Sequence, residues 1–134
     1  MTWIAPQLAL PAGRGPAALA FYREGLGAEV EHQVGGTEAE PPVVAQLAVG
    51  DARFWVTDEG EANALASPQR LGAATARLLL VVDDPAALQA RAVAAGATER
   101  SQVGEEHGWL VGRIVDPFGH QWELGRPLRD WPGA

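Results

Sequence analysis

Apolar and polar positions along the chain fall into one pattern that occurs twice. An apolar segment, Ile4 to Leu10, runs into the turn-prone Pro11-Ala12-Gly13-Arg14-Gly15. A helical pattern then opens at Pro16, with Leu19, Tyr22 and Leu26 on one face and proline in the first turn, where a missing N–H breaks no hydrogen bond. Gly27 ends it. Three strands follow: Ala28 to His32, Val43 to Val49 and Ala52 to Thr57, the last two joined by the tight turn Gly50-Asp51.

The same order returns in the second half. Arg77 to Val82 is leucine- and valine-rich and reads as a buried strand; Asp84-Pro85 supplies a helix N-cap followed by proline; Leu88, Ala92 and Ala95 carry a helical stripe to Gly96. Strands are predicted at Thr98 to Gln102, Trp109 to Val115 and His120 to Leu124. A repeated order of elements decides the architecture. It predicts an α+β fold of two βαβββ modules, about 1–62 and about 74–126, pairing into a curved mixed sheet with a central cleft, all within one domain spanning 1–134. Asp58 to Ala74, rich in Glu, Ala, Ser, Pro and Gly, reads as a connecting loop with a helical turn, and Gly35 to Pro42 as a second loop. Such loops commonly rim a site.

Composition narrows the chemistry. A chain of 134 residues with 47% hydrophobic and 20% charged residues can bury a core of its own without metal or disulfide staples. The absence of cysteine excludes a disulfide framework, a thiolate zinc site and a thiol nucleophile, and points to a reducing, cytoplasmic setting. Ten Lys and Arg against seventeen Asp and Glu give a net charge of -7, the wrong sign for a phosphate backbone, so nucleic acid is not an expected partner. No apolar run reaches the length that spans a bilayer, and no membrane partner is expected. GxGxxG, Walker and GxSxG patterns are missing.

Phe21-Tyr22 with Leu26-Gly27, the Asp83-Asp84 entry and Gly96-Ala97 exit of the second helix, and above all Asp116-Pro117-Phe118-Gly119-His120-Gln121-Trp122-Glu123-Leu124 give the chain a resemblance. Nearly end to end, it resembles the vicinal oxygen chelate superfamily, which includes glyoxalase I, bleomycin-resistance proteins and ring-cleaving dioxygenases. The resemblance implies paired modules around a cleft, often completed by a second subunit, and in enzyme members a divalent metal held by one residue from each of four strands. Counted from the shared landmarks, those positions fall on Gln7, Trp55, Arg77 and Glu123. Neither an indole nor a guanidinium ligates a cation, and the guanidinium places positive charge where the ion would sit. No metal and no other cofactor is therefore expected.

In that register, strand alternation turns Gln121 and Glu123 into the cleft together with Trp109, Val111, Arg113, Arg53, Trp55, Thr57, Arg77 and Leu79, and turns His120, Trp122 and Leu124 toward the helix. Two indoles, guanidiniums and one carboxylate suit a small planar or anionic ligand. The candidate ligand-binding residues are Trp55, Arg77, Trp109, Arg113, Gln121 and Gln7, with Glu123 as the candidate catalytic group; an Arg77–Glu123 ion pair is the structural alternative. His107 at a strand entrance is a further candidate acid or base, whereas His32 reads as a surface residue and His120 as a local hydrogen-bonding group. Glu105-Glu106 reads as solvated charge, and Leu128 and Trp131 as docking groups on the sheet or a partner. Three functions stay open: a metal-free binding protein; a lyase, isomerase or dioxygenase with a rearranged metal site or acid–base chemistry at Glu123; and an interaction module. Unmatched sheet edges and the resemblance both predict a homodimer.

Overall fold

The computed structural model describes residues 1–130, so the expectation for Trp131 lies outside the described residues. Each half forms the expected βαβββ unit. In the first, β1 (Gln7–Leu10), α1 (Gly15–Leu26), β2 (Glu29–Gly35), β3 (Val43–Val49) and β4 (Ala52–Asp58) make a four-stranded sheet of order β1-β4-β3-β2. The second repeats this with β5 (Arg77–Val81), α3 (Pro85–Ala94), β6 (Thr98–Glu106), β7 (Trp109–Val115) and β8 (Gln121–Pro127), in the order β5-β8-β7-β6. In each sheet the first strand runs parallel to the last and the remaining pairs are antiparallel. Between them the connection holds a 3₁₀ turn at Glu61–Asn63 and the short α2 (Pro68–Leu71).

Local chemistry explains the helix limits. Gly27 takes the left-handed conformation at the end of α1, and the Ala28 N–H turns back to the Tyr22 carbonyl at 3.0 Å. At the start of α3 the Asp84 carboxylate accepts the Ala87 N–H at 3.1 Å.

The two sheets remain separate four-stranded units, which refines the expectation of one continuous curved sheet. Their helix-facing sides share a single core. Tyr22 from α1 packs edge-on against Phe54 from β4 at 5.2 Å between ring centroids, and Phe54 against Trp122 from β8 at 5.3 Å. Leu10, Leu47, Val56, Ile114, Phe118 and Leu124 complete this buried cluster. Each such side chain contributes roughly 2–3 kcal/mol through its burial, so these contacts bind the modules to one another through their inner sides. The outward faces are left uncovered: Val34 and Val44, paired across β2 and β3, are 59% and 45% exposed, and Leu79 and Val81 on β5 are 48% and 47% exposed.

Candidate functional site

On the outward face of the second sheet, alternation brings Arg77, Leu79, Gln121, Glu123, Arg113, Val111 and Trp109 to one side. Glu123 sits on the central strand β8, directly opposite Leu79 of β5 and Arg113 of β7. The Arg113 Nε donates to Glu123 Oε2 at 2.9 Å. Arg113 also reaches the hairpin end of β6, where Nη1 donates to Glu106 Oε2 at 3.2 Å and Nη2 to Glu106 Oε1 at 3.1 Å. A longer contact of 3.5 Å runs from Nη1 to Ser101 Oγ. The guanidinium is thus held between two carboxylates, with four of its five N–H donors engaged.

The Arg113 hydrogen bonds hold the Glu106 carboxyl below the ordinary glutamate range, and the same contact raises Arg113 further above its ordinary value. Leu79, Glu106, His107, Trp109, Val111, Arg113 and Glu123 enclose a pocket of about 290 Å³. Glu106 is a site residue that the reading as solvated charge misses. The ion pair predicted between Arg77 and Glu123 is replaced by Arg113–Glu123. Arg77 faces Gln121 across the strands and is therefore only diagonal to Glu123, and it makes no ion pair among the described residues.

The first sheet carries a separate depression. Gln7 and Trp55 are direct partners on β1 and β4, and with Val44, Thr57, Asn63 and Leu65 they line about 350 Å³. His32 meets Trp55 edge-on at 5.9 Å between centroids. Val44, Thr57 and Asn63 also border a neighbouring recess of about 560 Å³ beneath the Gly35 to Pro42 loop. Arg53, assigned to the cleft, is paired with Glu31 at 2.8 Å. His120 is buried; its backbone makes the local hydrogen bonds expected, to Asp116, while its Nε2 bonds the Ala9 carbonyl at 2.7 Å and adds a long-range tie to β1. Trp122 and Phe118 lie in the core as expected.

The four positions at which a divalent ion is implied do not suit one. Gln7 and Trp55 offer an amide and an indole in one depression, while the Glu123 carboxylate, in the other pocket, is already hydrogen-bonded to Arg113. Arg77 adds a permanent cation to the same face as Glu123. Among the described residues no three His, Asp or Glu side chains converge as a metal ion requires. None of the helices among the described residues is long and apolar enough to cross a membrane.

Comparison with known proteins places this geometry in a family. A curated, uncharacterized protein of Mycobacterium bovis is 38% identical over 65 residues, which cover 48% of this chain and 43% of that protein. A Mycobacterium tuberculosis relative matches equally over 38% of its length, so the matched stretch spans less than half of these relatives. Among solved structures, a gene product of Arabidopsis thaliana superposes with a TM-score of 0.73 at 23% identity, covering 94% of this chain and 99% of that one. TioX from Micromonospora sp. ML1 superposes with 0.69 at 20% identity, covering 97% and 99%. A bleomycin-binding protein complexed with bleomycin does so with 0.62 at 20% identity, covering 94% and 98%. Residues 4–124 match the model of a single family, and the chain belongs to it: the Glyoxalase/Bleomycin resistance protein/Dioxygenase superfamily.

Proposed function

We propose that this protein binds a small planar ligand, without a divalent metal, between the outward face of its second sheet and the outward face of a first sheet. The observation that carries the reading is the engagement of Glu123 by Arg113. A carboxylate in the metal-ligand position that already accepts a hydrogen bond from a fixed guanidinium is a poorer ligand for a dication, since that cation must displace the guanidinium before it binds. The aromatic and apolar side chains Trp55, Trp109 and Leu79 supply contact area, and the amides of Gln7 and Gln121 supply hydrogen bonding. Arg77, which makes no ion pair among the described residues, receives an anionic group of the ligand.

The two depressions share no lining residue. The reading is completed by a homodimer in which the open face of one copy is covered by the other, consistent with the exposed valines and leucines on both sheets. The bleomycin-binding structure among the relatives supports a binding role on this scaffold. A second reading, metal-free acid–base catalysis, draws support from His107 at the mouth of the Glu106–Arg113–Glu123 pocket.

The test is a tryptophan-fluorescence titration of the purified protein with a panel of aromatic carboxylates and the matching neutral amides, alongside light scattering. Dimeric mass, selective quenching by the carboxylates, and a loss of about 1.5 kcal/mol of affinity in Arg77→Ala are the expected results. A monomer that quenches equally with both series overturns the reading.

A further inference from the structure

We propose that Gln89, on the helix side of the second sheet, is a positioning residue that holds Arg113 in place from behind. Gln89 is 4% exposed, one of few polar side chains in the core. Strand β6 pairs irregularly with β7 here: Ser101 stands opposite Arg113 and Gly104 opposite Val111, so two residues of β6, Gln102 and Val103, face the single Gly112. Such a bulge takes backbone groups out of the ladder, and buried backbone groups need partners.

Gln89 supplies those partners with both ends of its amide. Its Nε2 donates to the Ser101 carbonyl at 2.8 Å and, at 3.4 Å, to the carbonyl of Arg113 itself, while its Oε1 accepts the Val103 N–H at 3.1 Å. The facing strand makes room for it. A Cβ on Gly112 would lie 2.7 Å from Gln89 Nε2 and 2.6 Å from Val103 Cγ2, so only glycine admits the amide without a shift.

The clamp therefore closes on the two strands at the level where, on the opposite face, the Arg113 side chain reaches Ser101 Oγ, Glu106 and Glu123. Without it the bulge is free to move along β6, and the strand then no longer presents Glu106 to the guanidinium in one register. Gln89 touches no ligand. Its effect on the pocket passes through backbone register, and its functional importance rests on the reading that this pocket binds a ligand.

The experiment needs no ligand, so a failed ligand titration and a failed clamp are told apart. It measures hydrogen exchange of the guanidinium Nε–H of Arg113 by NMR in the full chain, with the Nε–H of Arg53, bonded to Glu31 on the first sheet, as internal control. In Gln89→Met, which keeps length but loses the amide, the Arg113 signal is expected to exchange at least about tenfold faster while Arg53 is unchanged. General loosening of the fold would shift both. If Gln89→Met fails to fold, Gly112→Ala, which crowds the amide without removing it, is expected to give the same selective change. Unchanged Arg113 exchange in a folded variant, or equal acceleration of both signals, overturns the proposal.

Discussion

The hydroxyl of Tyr22 donates to Asp116 Oδ2 at 2.6 Å, joining the helix of the first module to the turn that opens the last strand of the second. The same oxygen accepts the Trp122 Nε1–H at 3.0 Å, and Oδ1 accepts the backbone N–H groups of Phe118 and His120. A carboxylate buried in a core is tolerable only when its charge is met by several donors. The conspicuous Asp-Pro-Phe-Gly-His stretch is thus, in this chain, a structural knot between modules.

Tyr22→Phe removes one donor from that buried carboxylate and leaves the ring packing in place. Chemical denaturation is expected to show a loss of about 1.5–3 kcal/mol, the range for hydrogen bonds to charged groups. Burial, with Asp116 beside it, pushes the Tyr22 hydroxyl well above its ordinary value. Because the folded value is the raised one, the wild type's advantage is complete below about pH 10 and is lost as pH rises beyond the unfolded tyrosine value. A variant as stable as wild type at neutral pH would show that the bond contributes nothing.

The Glu106–Arg113 contact has the opposite sign. Arg113 lowers the Glu106 carboxyl in the folded protein, so the stability it contributes is present above the unfolded glutamate value, about pH 4.3, and disappears as pH falls through the lower folded value. Denaturation midpoints of wild type and Glu106→Gln are expected to differ at pH 7, to converge on acidification and to approach one another in high salt, since Glu106 is exposed. A gap that does not narrow as the pH falls below the unfolded glutamate value contradicts the assignment.

Gly35 tests the loop that rims the first sheet's recess. It holds a φ of +67°, and a Cβ there would collide with the Pro42 carbonyl oxygen, a backbone atom that the Gly36 N–H already bonds at 2.9 Å. Gly35→Ala is expected to cost at least about 2 kcal/mol, from the left-handed backbone and the collision together. Gly50→Ala shares the positive φ but meets nothing within 4 Å, and is expected to cost about half as much. Equal costs in thermal melts would show that the contact with Pro42 relaxes freely.

Regular alternation made most of the fold legible. Val43–Val49 and Trp109–Val115 are read to the residue, because both are short, mostly apolar runs between clear turn signals. Strand β6 is read only as far as Gln102, although it runs to Glu106. Its last three residues are glycine and two glutamates, and two irregularities, between Glu99 and Ser101 and between Ser101 and Gly104, break the periodicity that would reveal the strand. That break is why Glu106 reads as solvated charge while it in fact closes on Arg113. The choice of Arg113 over Arg77 as the partner of Glu123 depends on register: β5 and β7 both flank β8, but Arg113 stands directly opposite Glu123 while Arg77 stands opposite Gln121, a pairing that spacing along the chain does not carry. The faces of the side chains are local properties, whereas the shared core that turns both outward faces away from the helices is a property of how the modules dock.

On the proposed reading, a guanidinium stands in the place of a metal ion. Equilibrium dialysis of the purified protein against zinc, nickel, manganese and ferrous ions, followed by elemental analysis, tests it most directly. Bound metal well below one equivalent per chain, unchanged in Glu123→Ala, is the expected result; one equivalent in the wild type that is lost in Glu123→Ala would contradict it.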